Sequence, residues 1–241
     1  MRRLIQVSLL TAAMSLSGFS VGQSLEEGAH AFDMGDYSTA IDNFRPLAEQ
    51  GEMVSQAVMG TMYSEGKGVP QDYSQAVHWY RRAAEQGSSY AQAELGRMYR
   101  SGEGTTQDYG EAVKWFRLAA EQGNLSAQAD LGHAFQVGRG VPQNFLEAAQ
   151  WYRRAAEQGM AYAQGHLGYM YSKGMGVSRN LVMAYILTSL AATESKVGYP
   201  HLRDTTLEKL NREQIAEGQR LASEWQVGKP LPTTKDTKTW P

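Results

Sequence analysis

Five histidines and one serine–lysine pair are the residues with the clearest capacity for chemistry in this chain of 241 residues. No two histidines stand three or four positions apart, as two zinc ligands on one helix would, so the sequence predicts no metal site. Ser64 and Lys67 match the Ser-x-x-Lys motif of serine hydrolases, but the companion Ser-Asp-Asn and Lys-Thr-Gly motifs are absent. We therefore expect no catalytic residue, no bound metal and no cofactor. The histidines are His30, His78, His133, His166 and His201.

The composition excludes further classes of site. The chain has no cysteine, which rules out disulfides, thiolate metal sites and a thiol nucleophile. The formal net charge is −2, so the chain lacks the strongly basic character that nucleic-acid-binding proteins show. We therefore expect no nucleic acid among its partners.

Residues 1–22 have the pattern of an export signal. Arg2 and Arg3 give a positive start, residues 4–16 are short and largely apolar, and the small residues that follow suit cleavage before Gln23. The alternative is a membrane anchor, but polar residues interrupt the apolar stretch and it is too short to span a bilayer comfortably. We predict an exported protein, periplasmic or else secreted, that is not inserted in a membrane after the signal is cleaved.

The phrase Ala-Glu-Gln-Gly occurs four times and sets the organisation of the chain. Its glycines are 36 residues apart, and a period of this size is typical of an array of helix pairs. In every repeat, apolar residues recur at spacings of three and four, as on one helix face, and a Gly-x-Gly pair ends the first helix. An Asp or Asn then begins the second helix as an N-cap. The glycines of the phrase are Gly51, Gly87, Gly123 and Gly159.

Tryptophans recur at one position of the second helix, at Trp79, Trp115 and Trp151. They stand at helical spacing from alanines that also recur in every repeat, so this position belongs to the apolar face of the helix. A single helix pair cannot bury both of its faces, and neighbouring pairs must therefore stack. The pattern predicts that the tryptophans pack between helices and support the scaffold.

The segment from Leu95 to Gly123 resembles a Sel1-like repeat. It reads Leu-Gly-x-x-Tyr-x-x-Gly-x-Gly and then Asp-Tyr-x-x-Ala-x-x-Trp-Phe-x-x-Ala-Ala-Glu-Gln-Gly. The resemblance implies an all-α fold of the α-solenoid class, in which antiparallel helix hairpins stack into a right-handed superhelix related to tetratricopeptide repeats. It also implies a role as an adaptor or scaffold that binds other proteins.

The sequence predicts five segments after this comparison of repeats. The signal peptide would occupy 1–22, and a shorter tetratricopeptide-like unit at 24–50 would cap the array. Four repeats would fill 51–194, divided as 51–86, 87–122, 123–158 and 159–194. Capping helices would follow at 195–227, where Asn211 has the features of an N-cap. Residues 228–241 contain little that could pack and are predicted to be disordered.

Positions that vary between repeats on the first helix are candidates for partner specificity. By resemblance to tetratricopeptide stacks, this face lines a concave groove. Arg97 and Arg100 lie one turn apart on it, and their guanidinium groups suit a carboxylate or an acidic side chain of a partner. The alternative is a solvated face on which Glu94 and Glu103 neutralise the two arginines. The predicted binding residues are Tyr90, Arg97, Arg100, His133, Gln136, Tyr162 and Tyr169.

The sequence therefore predicts a non-catalytic scaffold of the bacterial cell envelope that binds a protein or peptide in this groove. Two alternatives stay open. One is a secreted virulence-type effector that binds a host protein. The other is a cell-envelope hydrolase or a factor that acts on peptidoglycan.

Overall fold

The computed structural model describes residues 18–194 and 199–232, and its regular elements over those residues are all helices. Most of the helices are 13 residues long, as the repeat pattern requires. In chain order they are α1 (Gly18–Met34), α2 (Tyr37–Glu49), α3 (Met53–Glu65), α4 (Tyr73–Glu85), α5 (Ser89–Ser101), α6 (Tyr109–Glu121), α7 (Leu125–Val137), α8 (Phe145–Glu157), α9 (Ala161–Lys173), α10 (Leu181–Glu194), α11 (Tyr199–Leu207) and α12 (Arg212–Glu224).

The predicted N-caps begin the second helix of the repeats. The side chains of Asp72, Asp108 and Asn144 accept hydrogen bonds from backbone N–H groups in the first turns of α4, α6 and α8. Asn211 and Gln214 form a reciprocal capping box at the start of α12. Such caps satisfy donors that have no partner inside the helix, and this fixes where each helix begins.

The two glycines of each Gly-x-Gly pair have different structural roles, as Gly102 and Gly104 show. Gly102 ends α5 in the left-handed conformation, with a φ of 81°. Gly104 also has a positive φ, of 70°, and a Cβ atom there would lie 2.1 Å from the backbone carbonyl oxygen of Tyr73. The second glycine therefore lets the loop after α5 touch the backbone of α4, so it joins two repeats as well as turning the chain.

The chain forms two compact units, the first ending at Gln122 and the second beginning at Gly123. In the first unit, α1 to α6 pack in sequence, each helix against the next. In the second unit, α7 to α10 continue this order, and α11 and α12 both pack on α10. The predicted fold, an all-α solenoid of stacked antiparallel helix hairpins, is confirmed.

The core of each unit consists of the recurring apolar positions. In the first unit Phe44 and Met59 are almost fully buried, and in the second unit Tyr152 and Leu167 are. Trp79 and Trp151 are buried, whereas Trp115 is half-buried. The tryptophan position thus supports the scaffold as predicted, but to an extent that differs between repeats.

Hydrogen-bonded glutamines, some buried and some exposed, connect successive helices, and they were not predicted from the sequence. Gln92 donates a hydrogen bond from Nε2 to the carbonyl oxygen of Ala84 at 3.1 Å, and its Oε1 accepts one from Gln122 at 2.7 Å. Gln56 repeats these bonds with Ala48 and Gln86. Because a buried amide is costly without partners, these glutamines fix the register between neighbouring hairpins. We call these residues the glutamine ladder. Its buried members are Gln56, Gln92, Gln128 and Gln164, and its exposed members are Gln86, Gln122 and Gln158.

The residues after α12 differ from the prediction. The segment 228–241 was predicted to be disordered, but the N–H of Gly228 donates to the carbonyl oxygen of Glu157 at 2.7 Å. Leu231 is buried, and its N–H donates to the Glu157 carboxylate at 3.2 Å. The segment is poor in apolar residues, but Leu231 and the end of α8 give residues 228–232 a place to pack. Residues 233–241 lie outside the described part of the chain.

The predicted signal peptide also lies largely outside the described part, which begins at residue 18. From there α1 runs through the predicted cleavage position before Gln23. Over the residues that the structure describes, no helix combines the length and the apolar character that crossing a membrane requires.

Candidate functional site

The seven predicted binding residues all lie on first helices of repeats, but they fall into both units. Tyr90, Arg97 and Arg100 are on α5 in the first unit. The other four belong to the second unit, His133 and Gln136 on α7 and Tyr162 and Tyr169 on α9.

In the first unit, Tyr90 is tied to the preceding repeat. Its hydroxyl is 3.0 Å from the hydroxyl of Thr61, which is also 3.0 Å from the hydroxyl of Tyr80. The rings of Tyr80 and Tyr90 meet edge to face, with centroids 6.1 Å apart. Burial raises the pKa of both tyrosines, so both are neutral at pH 7. Tyr90 therefore stabilises the packing of α3, α4 and α5, in addition to any part it has in binding a partner.

The two arginines of α5 are partly covered. Arg97 forms an ion pair with Glu94, and the two side chains are 30% and 25% exposed. The guanidinium carbon of Arg100 lies 5.6 Å from the centroid of the Phe116 ring. A carboxylate from a partner would have to compete with Glu94 for Arg97, which agrees with the alternative interpretation for that residue. Glu103 accepts a hydrogen bond from Ser101.

In the second unit, Gln136 holds together residues from three helices. Its Oε1 accepts a hydrogen bond from the hydroxyl of Tyr152 on α8 at 2.9 Å. The same oxygen lies 3.3 Å from Nδ1 of His166 on α9. Tyr152 is fully buried, and burial raises its pKa, so its hydroxyl keeps the proton that it donates. Gln136 is thus positioned by a buried tyrosine of the neighbouring helix.

His166 lies between two tyrosine rings. Its ring stacks on Tyr152 with centroids 5.1 Å apart, and it lies 4.3 Å from the centroid of Tyr162. Burial lowers the pKa of His166 to about 4, with a smaller contribution from the charge of His133. The ring is therefore neutral at pH 7. Its Nδ1 faces an oxygen that can only accept, so Nδ1 carries the hydrogen and Nε2 carries a lone pair.

A pocket of about 330 Å³ opens beside this cluster. Tyr199 of α11 lies directly on Gly165, where a Cβ atom would be 1.9 Å from the tyrosine ring. The absence of a side chain at Gly165 thus allows the closing helix to form one wall. The pocket is lined by Gln136, Gly165, His166, Tyr169, Tyr199 and Leu202.

The structure therefore brings Gln136 and Tyr169 together at one pocket, with Tyr162 packed on His166 at its edge. Four lining residues were not among those predicted from the sequence, namely Gly165, His166, Tyr199 and Leu202. The sequence did contain a signal for His166. Its position varies between repeats, since the equivalent residues are Glu94 and Asp130.

The neutral state of His166 predicts a dependence of stability on pH. The unfolded chain takes up this proton near the ordinary histidine pKa of 6.5, whereas the folded chain does so at about 4. Between these values the unfolded state binds more protons, so stability is fully present above pH 6.5 and falls as the pH is lowered. The loss at pH 4.5 should be about 2 kcal/mol. The groups that surround His166 are His133 on α7, Tyr152 on α8, Tyr162 on α9 and Tyr199 on α11.

Denaturant melts of the wild type and of His166→Gln at pH 7 and pH 4.5 would measure this loss. The difference in unfolding free energy between the two proteins should shrink at the lower pH. His201→Gln, at an exposed histidine, is the control and should behave as the wild type does. A difference that stays constant would show that the pKa of His166 is the same in the folded and unfolded states, and would contradict the shift caused by burial.

Metal binding finds no support in the part of the chain that the structure describes, where no three His, Asp or Glu side chains are grouped to hold an ion. The arrangement in the second unit instead offers aromatic faces, one amide and one neutral imidazole. Such groups bind organic ligands through apolar contact and hydrogen bonds.

Comparisons with known proteins agree with the repeat architecture. The model of the Sel1 repeat matches residues 54–88, 89–124, 125–160 and 161–195. No curated protein matches the chain.

Several solved structures are similar. A protective antigen of uropathogenic Escherichia coli with an SLR fold is 34% identical, with a TM-score of 0.70, over 93% of this chain and 53% of that one. A Sel1 repeat protein from Oxalobacter formigenes is 36% identical, with a TM-score of 0.63, over 71% of this chain and 49% of that one. This chain thus spans about half the length of these two proteins.

A putative Sel1 repeat protein from Klebsiella pneumoniae is 20% identical, with a TM-score of 0.50, over 81% of this chain and 94% of that one. This last similarity concerns the fold alone. The family model covers more than half of the chain. The chain belongs to the Sel1 repeat family, whose α-solenoids commonly serve as scaffolds for protein–protein interaction.

Proposed function

We propose that this protein is a non-catalytic interaction scaffold of the bacterial cell envelope that binds a protein or peptide on the first helices of its repeats. The observation that carries the proposal is the exposure of Tyr162 and Tyr169, at 39% and 37%, beside the pocket on α9. Tyrosine is enriched among the residues that dominate binding energy at protein interfaces. Two half-exposed tyrosines next to a pocket therefore support a contact with another protein.

The arginines of α5 supply a second candidate contact, for an acidic side chain or a terminal carboxylate of the partner. Arg97 already pairs with Glu94, so a bound carboxylate would share or replace that interaction. An ion pair at this exposure is screened by salt, and its contribution to affinity should fall as salt is added.

Location in the envelope rests on residues 1–22, with their paired arginines and short apolar stretch. The similarity to a protein described as a protective antigen supports export as well. Fractionation of the native cells and the intact mass of the recovered protein would test this part. A protein recovered from the periplasm and starting at Gln23 is expected. Recovery in the culture medium would favour the secreted effector, and a chain that still begins at Met1 would contradict cleavage.

Crosslinking in the native cells, followed by mass spectrometry, would identify the partner and test the two contacts. We expect Tyr169→Ala to reduce capture of the partner by about tenfold, because truncating an interface tyrosine costs more than 1 kcal/mol. The double variant Arg97→Glu and Arg100→Glu tests the contact on α5 and should lose about tenfold as well.

Leu146→Ala is the matched control, since Leu146 is an exposed apolar residue on α8 that does not line the pocket. It should capture the partner as the wild type does. Normal capture by both binding variants would place the interface elsewhere on the molecule. Turnover of a chromogenic β-lactam or of murein fragments by the purified protein would contradict the non-catalytic assignment and favour the envelope hydrolase.

A further inference from the structure

The pocket of the second unit has a chemical character that narrows what it can bind. Its six lining residues include no Asp, Glu, Lys or Arg. The histidine among them is His166, whose pKa burial lowers to about 4, so its ring is uncharged at pH 7. Bringing a charged group into such a site would remove water from the charge without supplying an opposite charge. The pocket therefore favours an uncharged ligand.

Gln136 provides a hydrogen-bond donor. Its Oε1 is occupied by the Tyr152 hydroxyl and by Nδ1 of His166, which fixes the orientation of the amide. The remaining group, Nε2, has two N–H bonds and makes no hydrogen bond within the described residues. An amide pinned through its oxygen in this way presents its NH₂ group with little loss of side-chain entropy on binding.

His166 provides an acceptor. Because Nδ1 carries the hydrogen, Nε2 holds a lone pair and likewise has no partner among the described residues. The pair of one donor and one acceptor matches a peptide amide, which has one carbonyl oxygen and one N–H. A carboxylate, by contrast, has only acceptors and would face the lone pair of His166.

The side chains that form the walls of the pocket indicate what the remainder of the ligand must be. Tyr169, Tyr199 and Leu202 supply two aromatic rings and one aliphatic side chain. Aromatic rings pair with one another in offset or edge-to-face arrangements and gain about 0.5–1.5 kcal/mol beyond the area that they bury. The volume of about 330 Å³ is at the small end of ligand pockets, which suits one side chain and its backbone rather than a large molecule.

We propose that this pocket binds an aromatic side chain within an uncharged peptide segment, and that Gln136 and His166 hydrogen-bond to a backbone amide of that segment. The proposal rests on the proposed function, since it assigns a chemical class to the partner of the scaffold. It also separates this contact from the one on α5, where an acidic group is expected.

The test uses the full chain and two small probes that differ in charge. N-acetyl-phenylalaninamide is neutral, whereas N-acetyl-phenylalanine has a carboxylate at pH 7.5. NMR titration should show saturable shifts at Gly165 and Tyr169 with the neutral probe. Its dissociation constant should be about 1 mM, because small ligands gain about 0.3 kcal/mol per non-hydrogen atom. The anionic probe should bind at least about fivefold more weakly, the value of one lost hydrogen bond.

Single substitutions would show which residues contact the probe. His166→Phe keeps a ring between Tyr152 and Tyr162 but removes the acceptor, and it should weaken binding of the neutral probe by about fivefold. Tyr169→Ala removes one wall at an exposed position, so it should bind the probe weakly and still fold. Leu146→Ala, at a residue that does not line the pocket, should bind as the wild type does.

The proposal is overturned if the anionic probe binds as tightly as the neutral one, if the shifts fall outside the pocket, or if no saturable shift occurs up to about 20 mM. Because these titrations use purified protein, they are independent of partner capture in cells. Probe binding without a captured protein would contradict the scaffold function and leave the pocket assignment intact. A captured partner without probe binding would contradict the pocket assignment and leave the scaffold function intact.

Discussion

Gly104→Ala is expected to destabilise the first unit by about 3–5 kcal/mol, a loss that places it among the most damaging single substitutions. The residue has a φ of 70°, which strains any side chain, and its Cβ atom would lie 2.1 Å from the carbonyl oxygen of Tyr73. The obstacle is backbone at the beginning of α4, which cannot move aside as a flexible side chain would. Either the loop leaves α4 or the helix loses its first turn.

Gly87 supplies a matched control in the same unit. Its φ is 98°, so alanine is strained there too, but no atom lies within 4 Å of the position of its Cβ. Gly87→Ala should therefore cost about 1 kcal/mol, the value of the backbone strain alone. Denaturant melts, combined with hydrogen exchange of α4 and α5, would separate the two effects. Equal losses in both variants would mean that the loop adapts and that the contact with Tyr73 is unimportant.

Trp151→Ala is the second substitution with a large expected effect, about 3–5 kcal/mol, because it leaves a cavity where a large ring was buried. Trp151 is 7% exposed, and the guanidinium carbon of Arg154 lies 4.3 Å from the centroid of its ring. The substitution thus removes both the burial and a cation–π contact. Since the stability of repeat proteins depends on neighbouring repeats, α7 to α10 should lose protection from hydrogen exchange together.

The control for this substitution is Leu146→Ala on the same helix. Leu146 is 56% exposed, so its truncation should change the unfolding free energy by no more than about 0.5 kcal/mol. Trp115→Ala should fall between the two, because Trp115 is half-buried. A loss below about 1 kcal/mol for Trp151→Ala would contradict the structural role of the tryptophan position.

Helix ends and caps were predictable because they depend on residues close in sequence. Asp72 caps α4 through N–H groups two and three residues on, and Gly102 ends α5 because a left-handed residue is needed there. Because these capping residues and glycines recur every 36 residues, the sequence also predicted a stack of similar hairpins. The resemblance to the Sel1-like repeat rests on the same recurring positions.

The site was predictable only in part, because its geometry depends on contacts between repeats. Variation among the repeats identified Gln136 and Tyr169, which do line the pocket. It could not show that Tyr90 would be bonded to Thr61, a residue of the preceding repeat. Nor could it place Tyr199, whose position depends on how α11 packs against Gly165.

The glutamine ladder has a consequence for how such chains change in length during evolution. The junction made by Gln56 and Gln86 uses the same atoms as the junction made by Gln92 and Gln122. Both junctions also place an Nε2 group on an alanine carbonyl at the end of the preceding helix. A duplication or deletion of the whole repeat between these two junctions would therefore create no new kind of junction, because the two links have identical ends. Changes in length by multiples of 36 residues would preserve these bonds, whereas another step within the repeat would separate a buried amide from its partner.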